Sequence, residues 1–156
     1  MLDIPSISAI VAAVGVIIGV TLAYLEIRAL VKERQTDVVM GLFSTFGSKE
    51  FQEAQGKVLA MEAKSFNEVM IQGYRSSLVT VGVFFEGIGV LVQRKLVDVR
   101  LVDDLFGEAI QVIWEKLKPI VADYRKQFNQ PLWGEWFEHL YNETLKREQR
   151  LQQTQQ

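Results

Sequence analysis

Residues Leu78–Val92 read LVTVGVFFEGIGVLV, fifteen positions that are apolar apart from Thr80, three glycines and one carboxylate, Glu86, near the centre. Two arrangements can hold such a segment. In a membrane-spanning helix the acid would sit near mid-bilayer at a cost of about 2.5–3.5 kcal/mol. In a helical bundle the central helix is also apolar on all sides, and it tolerates an acid that a guanidinium or backbone donors satisfy. The bundle needs less. The other long apolar stretch of the chain has no ionisable residue besides Tyr24, so Glu86 would lack partners for an intramembrane path of ions or protons. The expectation is a core helix with a buried ion pair between Glu86 and Arg125. Arg125 follows Trp114, Leu117 and Val121 near the core-facing side of its own helix. Gly82 and Gly89 share one face, where a neighbouring helix can pack closely.

That other stretch, IPSISAIVAAVGVIIGVTLAYL at Ile4–Leu25, carries no charge over 22 positions, about 33 Å of helix and enough to cross a hydrocarbon core. A cleaved signal peptide fits less well, because MLD contributes an acid and no Lys or Arg, and the apolar run exceeds the usual length. All 17 Lys and Arg residues follow it, with Arg28, Lys32 and Arg34 just past its end. The positive-inside rule therefore predicts a single-pass cell-membrane protein with the N-terminus out and the C-terminal domain cytoplasmic. Gly15, Gly19 and Ala23 fall at four-residue spacing, extended by Ser8 and Ala12, a small-residue face for helix–helix association in lipid.

The 156 residues are 49% hydrophobic and 23% charged, which leaves one domain after the span. A net charge of −2 with dispersed basic residues excludes the footprint of a nucleic-acid binder and of a polybasic lipid patch. With no cysteine there are no disulfides, thiolate nucleophiles or Cys-type zinc sites.

Past Glu26 the periodicity is helical almost throughout. A first segment to Phe46 carries an apolar stripe of Leu30, Val31, Val38, Val39, Leu42, Phe43 and Phe46. Ser48 is placed to cap a helix over Lys49–Met61. Ser65 and Glu68 have capping-box spacing and open a long helix running through the quoted stretch to about Arg94. Asp98 reads as the cap of a short helix, Val99–Phe106, with Gly107 either ending it or passed through. A helix over Glu108–Phe128 follows, with a kink expected at Pro119. Pro131 sits at the first turn of a last helix, Leu132–Gln149, whose end, REQRLQQTQQ, is expected to fray. The predicted fold is all-α: a short outer segment at 1–3, a transmembrane helix at 4–25, and a cytoplasmic bundle of about five helices at 26–148. A polar glutamine-rich tail at 149–156 completes the chain.

FFEGI at Phe84–Ile88, LVD at Leu96–Asp98, DDLFG at Asp103–Gly107, Trp114 and KPIVADYR at Lys118–Arg125 follow an uncharged N-terminal span. In these motifs the chain resembles a family of small prokaryotic membrane-anchored helical proteins of unknown function. The resemblance implies a single-span anchor with a cytoplasmic helical domain, and supplies no substrate.

No constellation for catalysis emerges. His139, the single histidine, lies beside Glu135, Glu138 and Glu143, but a carboxylate-bridged di-iron bundle needs two Glu-x-x-His motifs and the chain has neither. No second histidine activates a serine or threonine, and no glycine-rich loop follows a strand. Asp103 and Asp104 sit where helix-start acids usually do. No metal or other cofactor is expected. The aromatic group Trp133, Trp136, Phe137 and Tyr141 reads either as core or as a partly exposed docking patch; spacings of three and four favour core. The expected function is non-enzymatic: a membrane-anchored scaffold or accessory protein acting by self-association or by binding another membrane protein, with the lipid bilayer and no nucleic acid as partner. The alternative is a membrane-tethered sensor with a ligand cavity near Glu86 and Arg125.

Overall fold

A computed structural model describes the backbone of residues 4–154 and the side chains of residues 12–31 and 33–153. The outer segment expected at 1–3 and the Ser8 side chain lie outside them. All regular structure in the described residues is helical: α1 (Ile4–Phe46), α2 (Lys49–Ala60), α3 (Phe66–Ile71), α4 (Arg75–Gln93), α5 (Val99–Phe128) and α6 (Glu135–Thr154). The chain divides into two units, Met1–Val38 and Val39–Gln156. The compact unit begins at Val39, within the segment expected to continue the span. Of the apolar stripe expected over Glu26–Phe46, Leu30, Val31 and Val38 are exposed, while Val39 is buried and Leu42 and Phe46 pack against the core.

In the first unit Val16, Ile17, Val20 and Leu22 are each more than half exposed. The Thr21 hydroxyl donates to the Ile17 carbonyl at 2.8 Å, which leaves no unpaired donor on this surface at that position. The Arg28 guanidinium lies 5.6 Å from the centroid of the Tyr24 ring. The helix is long and apolar enough to cross a membrane, and by length and composition so is α4.

The second unit is organised around α4, which packs against α6 and α2, while α5 packs against α6. Val81, Phe85 and Ile88 of α4 are completely buried. They meet Val58 of α2, Ile110, Ile113 and Ile120 of α5 and Leu140 of α6 in one core. Burying each such side chain contributes about 1.5–3 kcal/mol. A chain of rings crosses this core: Phe46 to Phe84 at 6.1 Å, Phe84 to Phe85 at 5.2 Å, Phe85 stacked on Phe137 at 4.8 Å, and Phe137 against Trp114 at 5.0 Å.

Helix ends follow local chemistry, with four departures from expectation. The long helix expected from Ser65 to Arg94 is two helices. Ser65 does cap α3, accepting from the Glu68 N–H at 3.2 Å, and Glu68 accepts from the Lys64 N–H at 2.7 Å. Gly73 then takes φ +76, a left-handed conformation open to glycine, and α4 restarts at Arg75. The two helices expected over 99–128 are one, because Gly107 is passed through: it is buried, and the Asp103 carboxylate lies where its side chain would be. Pro119 sits within α5. Asn129, at φ 51, closes α5, its N–H donating to the Arg125 carbonyl. The last helix starts at Glu135 and not at Leu132, since Gly134 has φ +75 and Pro131–Gly134 form turns. The tail expected to fray is helical through Thr154, with Arg150 donating to the Lys146 carbonyl at 3.1 Å.

Gly82 and Gly89 lie on one face of α4 but have different surroundings. A methyl group at Gly89 would overlap the backbone carbonyl of Trp136, so α4 and α6 meet backbone to backbone there. At Gly82 a methyl group would meet nothing within 4 Å. Gly89→Ala is expected to lower unfolding stability by about 1–3 kcal/mol, whereas Gly82→Ala raises it by about 0.5–1 kcal/mol, both read from denaturant unfolding of the full-length protein.

Candidate functional site

The site grows from the first turn of α6. A helix starts with N–H groups that have no carbonyl below them, and an acceptor side chain at the residue just before it normally takes the second and third of these. Gly134 stands at that position and has no side chain. Glu86, from the middle of α4, takes the role from outside the helix. Its Oε2 accepts from the Phe137 N–H at 2.8 Å and its Oε1 from the Trp136 N–H at 3.4 Å. The positive end of the α6 dipole thus meets the one carboxylate of the apolar helix.

The pair expected between Glu86 and Arg125 is not formed. Arg125 works on the same helix start from the α5 side: Nε donates to the Trp133 carbonyl at 2.8 Å and Nη1 to Glu138 Oε2 at 2.7 Å. The guanidinium therefore satisfies the turn before α6 and an acid of its first turn. The backbone donors of α6, already adjacent to Glu86, leave that carboxylate no need of a cation. Two further polar contacts tie elements to α5. Asp123 accepts from the Phe66 N–H at 2.9 Å, at the start of α3. Arg147 of α6 donates to Asp103, to Asp104 Oδ1 at 2.6 Å and to the Arg100 carbonyl at 3.3 Å. Asp103 and Asp104 thus serve as the α5 side of a clamp on α6, a role beyond that of helix-start acids. Asp98 is the N-cap of α5, accepting from the Arg100 N–H at 2.8 Å.

The aromatic group divides. Phe137 is buried and stacked in the core, which removes it from any docking patch. Trp133 is half-buried and stacks on Tyr124 at 4.3 Å; Tyr141 packs near Trp114 and its hydroxyl donates to Glu115. That hydrogen bond pushes the Tyr141 phenol above its ordinary value. Trp136 lies edge-on to His139.

Beside Glu86 opens a cavity of about 390 Å³. Leu78, Val79, Gly82 and Val83 line it from α4, Trp114, Leu117 and Val121 from α5, and Leu132, Trp133, Gly134 and Phe137 from the start of α6. Glu86 is its one ionisable lining residue, and Arg125 does not line it. Sequence reasoning missed the backbone donors at Trp136 and Phe137, the anchor at Glu138 and the clamp at Arg147. A glycine directly before a helix, which leaves the first turn without its own acceptor, is the local signal for the first of these.

Replacing Glu86 by Ala leaves two N–H groups of α6 unpaired. It is expected to cost about 1–3 kcal/mol and to speed hydrogen exchange at the Trp136 and Phe137 amides ahead of the rest of α6. At Asp98, the Arg100 side chain and then the Arg100 N–H hold the carboxyl below the usual carboxylate range. A depressed folded value means stability that is present above the ordinary aspartate value and is lost as pH falls through the lower, folded one. In acid titrations of unfolding, the advantage of the native protein over Asp98→Asn is expected to shrink below about pH 4.

No curated protein and no solved structure matches the chain. A family profile does, over residues 9–144, which takes in α2 to α5, the Glu86–α6 junction and every motif quoted above. The chain belongs to the family described as domain of unknown function (DUF4760).

Proposed function

We propose that this chain is a membrane-anchored, non-enzymatic interaction protein. Residues 4–25 cross the cell membrane once with the N-terminus outside, and the helical unit from Val39 onward works in the cytoplasm. The observation that carries this reading is the surface of α1. Seven uncharged apolar side chains between Val14 and Leu25 stand about half to two-thirds exposed, a patch that water disfavours and a hydrocarbon core accepts. The Thr21–Ile17 hydrogen bond suits a surface without water, and Arg28 over Tyr24 suits the inner interface. Gly15 and Gly19 have open space beside them, so with Ala23 they offer a face on which a second copy, or a span of another membrane protein, approaches closely. The structural roles of Glu86, Asp98, Asp103 and Arg125 support a binding rather than a catalytic protein.

Single cysteines, added one at a time to a chain that has none, test both parts. Ser6→Cys is expected to react with an impermeant maleimide on intact cells, and Gln153→Cys only after permeabilisation. External labelling of both would replace this topology with two spans, the second being α4; release of the protein from membranes by alkaline carbonate would overturn the anchor. Oxidative cross-linking is expected at Gly19→Cys and absent at Leu22→Cys; equal yields would remove the small-residue face.

A further inference from the structure

Gly82 has no local reason to be glycine. It lies inside α4, in a helical conformation that any residue adopts, and touches nothing where a side chain would begin. In a helix interior glycine costs about 1 kcal/mol relative to alanine, and here that cost is not repaid by close packing, as it is at Gly89. What its missing side chain does is leave one wall of the cavity open. That cavity falls within the range of small-molecule sites, about 300–1,000 Å³, and its walls are apolar save for one carboxylate. Two N–H groups occupy part of the acceptor capacity of Glu86, and a carboxylate offers roughly four lone-pair sites. The remainder can take a donor and would repel an anion. The mouth is apolar too: Val83 and Leu132 are each 67% exposed at its rim.

We propose that this cavity binds a small apolar molecule with a single hydrogen-bond-donating head, an amine or alcohol on a ring or branched hydrocarbon body. The body fills the space left by Gly82 against Trp114, Leu117 and Phe137, and the head meets Glu86. This goes beyond the interaction reading and does not rest on it, since the cavity belongs wholly to the unit from Val39 onward.

The test uses the full-length protein in phosphatidylcholine nanodiscs, with empty discs as reference, and two probes of one shape and opposite charge, 4-(trifluoromethyl)benzylamine and 4-(trifluoromethyl)benzoate, observed by fluorine relaxation. The amine is expected to bind at least about tenfold more tightly than the benzoate, a difference of about 1.4 kcal/mol. Gly82→Leu, which projects a branched side chain into the cavity one turn from Glu86, is expected to abolish the response. Val83→Trp, on the exposed rim, closes the mouth without touching the core and covers the case in which Gly82→Leu does not fold. Glu86→Gln is expected to reduce the preference for the amine. No amine response in the native protein, equal binding of the two probes, or a response that survives both cavity-blocking variants overturns the proposal. If the chain does not enter discs, the anchoring reading fails and the same titration in buffer still decides this one.

Discussion

The carboxylate of Glu86 on the first turn of α6 is the contact on which the arrangement of the second unit turns. A carboxylate in an apolar helix is costly unless donors meet it, and a helix whose preceding residue is glycine begins with unpaired N–H groups. Each defect resolves the other. Once the junction forms, its neighbours are constrained. Gly89 must lack a side chain because the Trp136 carbonyl passes directly over it, Phe85 and Phe137 are brought into a stack, and the turn before α6 falls within reach of Arg125.

Seen from this junction, the short motifs of this chain that lie within the matched residues 9–144 have physical roles. In FFEGI, Phe84 and Phe85 link the ring cluster near the end of α1 to Phe137 of α6, and Glu86 holds the α6 start. In DDLFG, the two acids hold Arg147, Phe106 is buried among Phe46 and Phe84, and Gly107 makes room for the Asp103 carboxylate. In KPIVADYR, Asp123 meets the start of α3 and Arg125 the start of α6. Helix α6 is therefore fastened at its first turn, through Glu86 of α4 and Arg125 of α5, and again just past its middle, through Arg147 to the two acids of α5.

Helix α4 is more apolar than its packing requires. Only a third of its apolar window is buried, and Val79 and Val83 face outward beside the cavity. An apolar surface next to an apolar cavity with one acid at its wall is the part of this fold that packing alone leaves unexplained, and it is what the proposed ligand would occupy.

The sequence by itself determined what depends on near neighbours: the all-helical class from apolar periodicity, the caps at Ser48, Ser65 and Asp98 from the acceptor three or fewer residues ahead of an N–H, and the uncharged stretch of α1. Tertiary structure decided whatever depends on residues far apart in the chain. Pairing Glu86 with Arg125 follows from matching charge to charge, but the partner is a pair of backbone N–H groups some fifty residues away, and no residue type advertises where a helix will leave such donors. The same holds for Gly82 and Gly89, identical in letter and face, of which one admits another helix and the other opens a cavity. Gly73, Gly107 and Gly134 differ for nearer reasons: left-handed backbone at the first and last breaks the helix there, and the second is passed through, with the Asp103 carboxylate one turn earlier in α5 lying where a side chain would be.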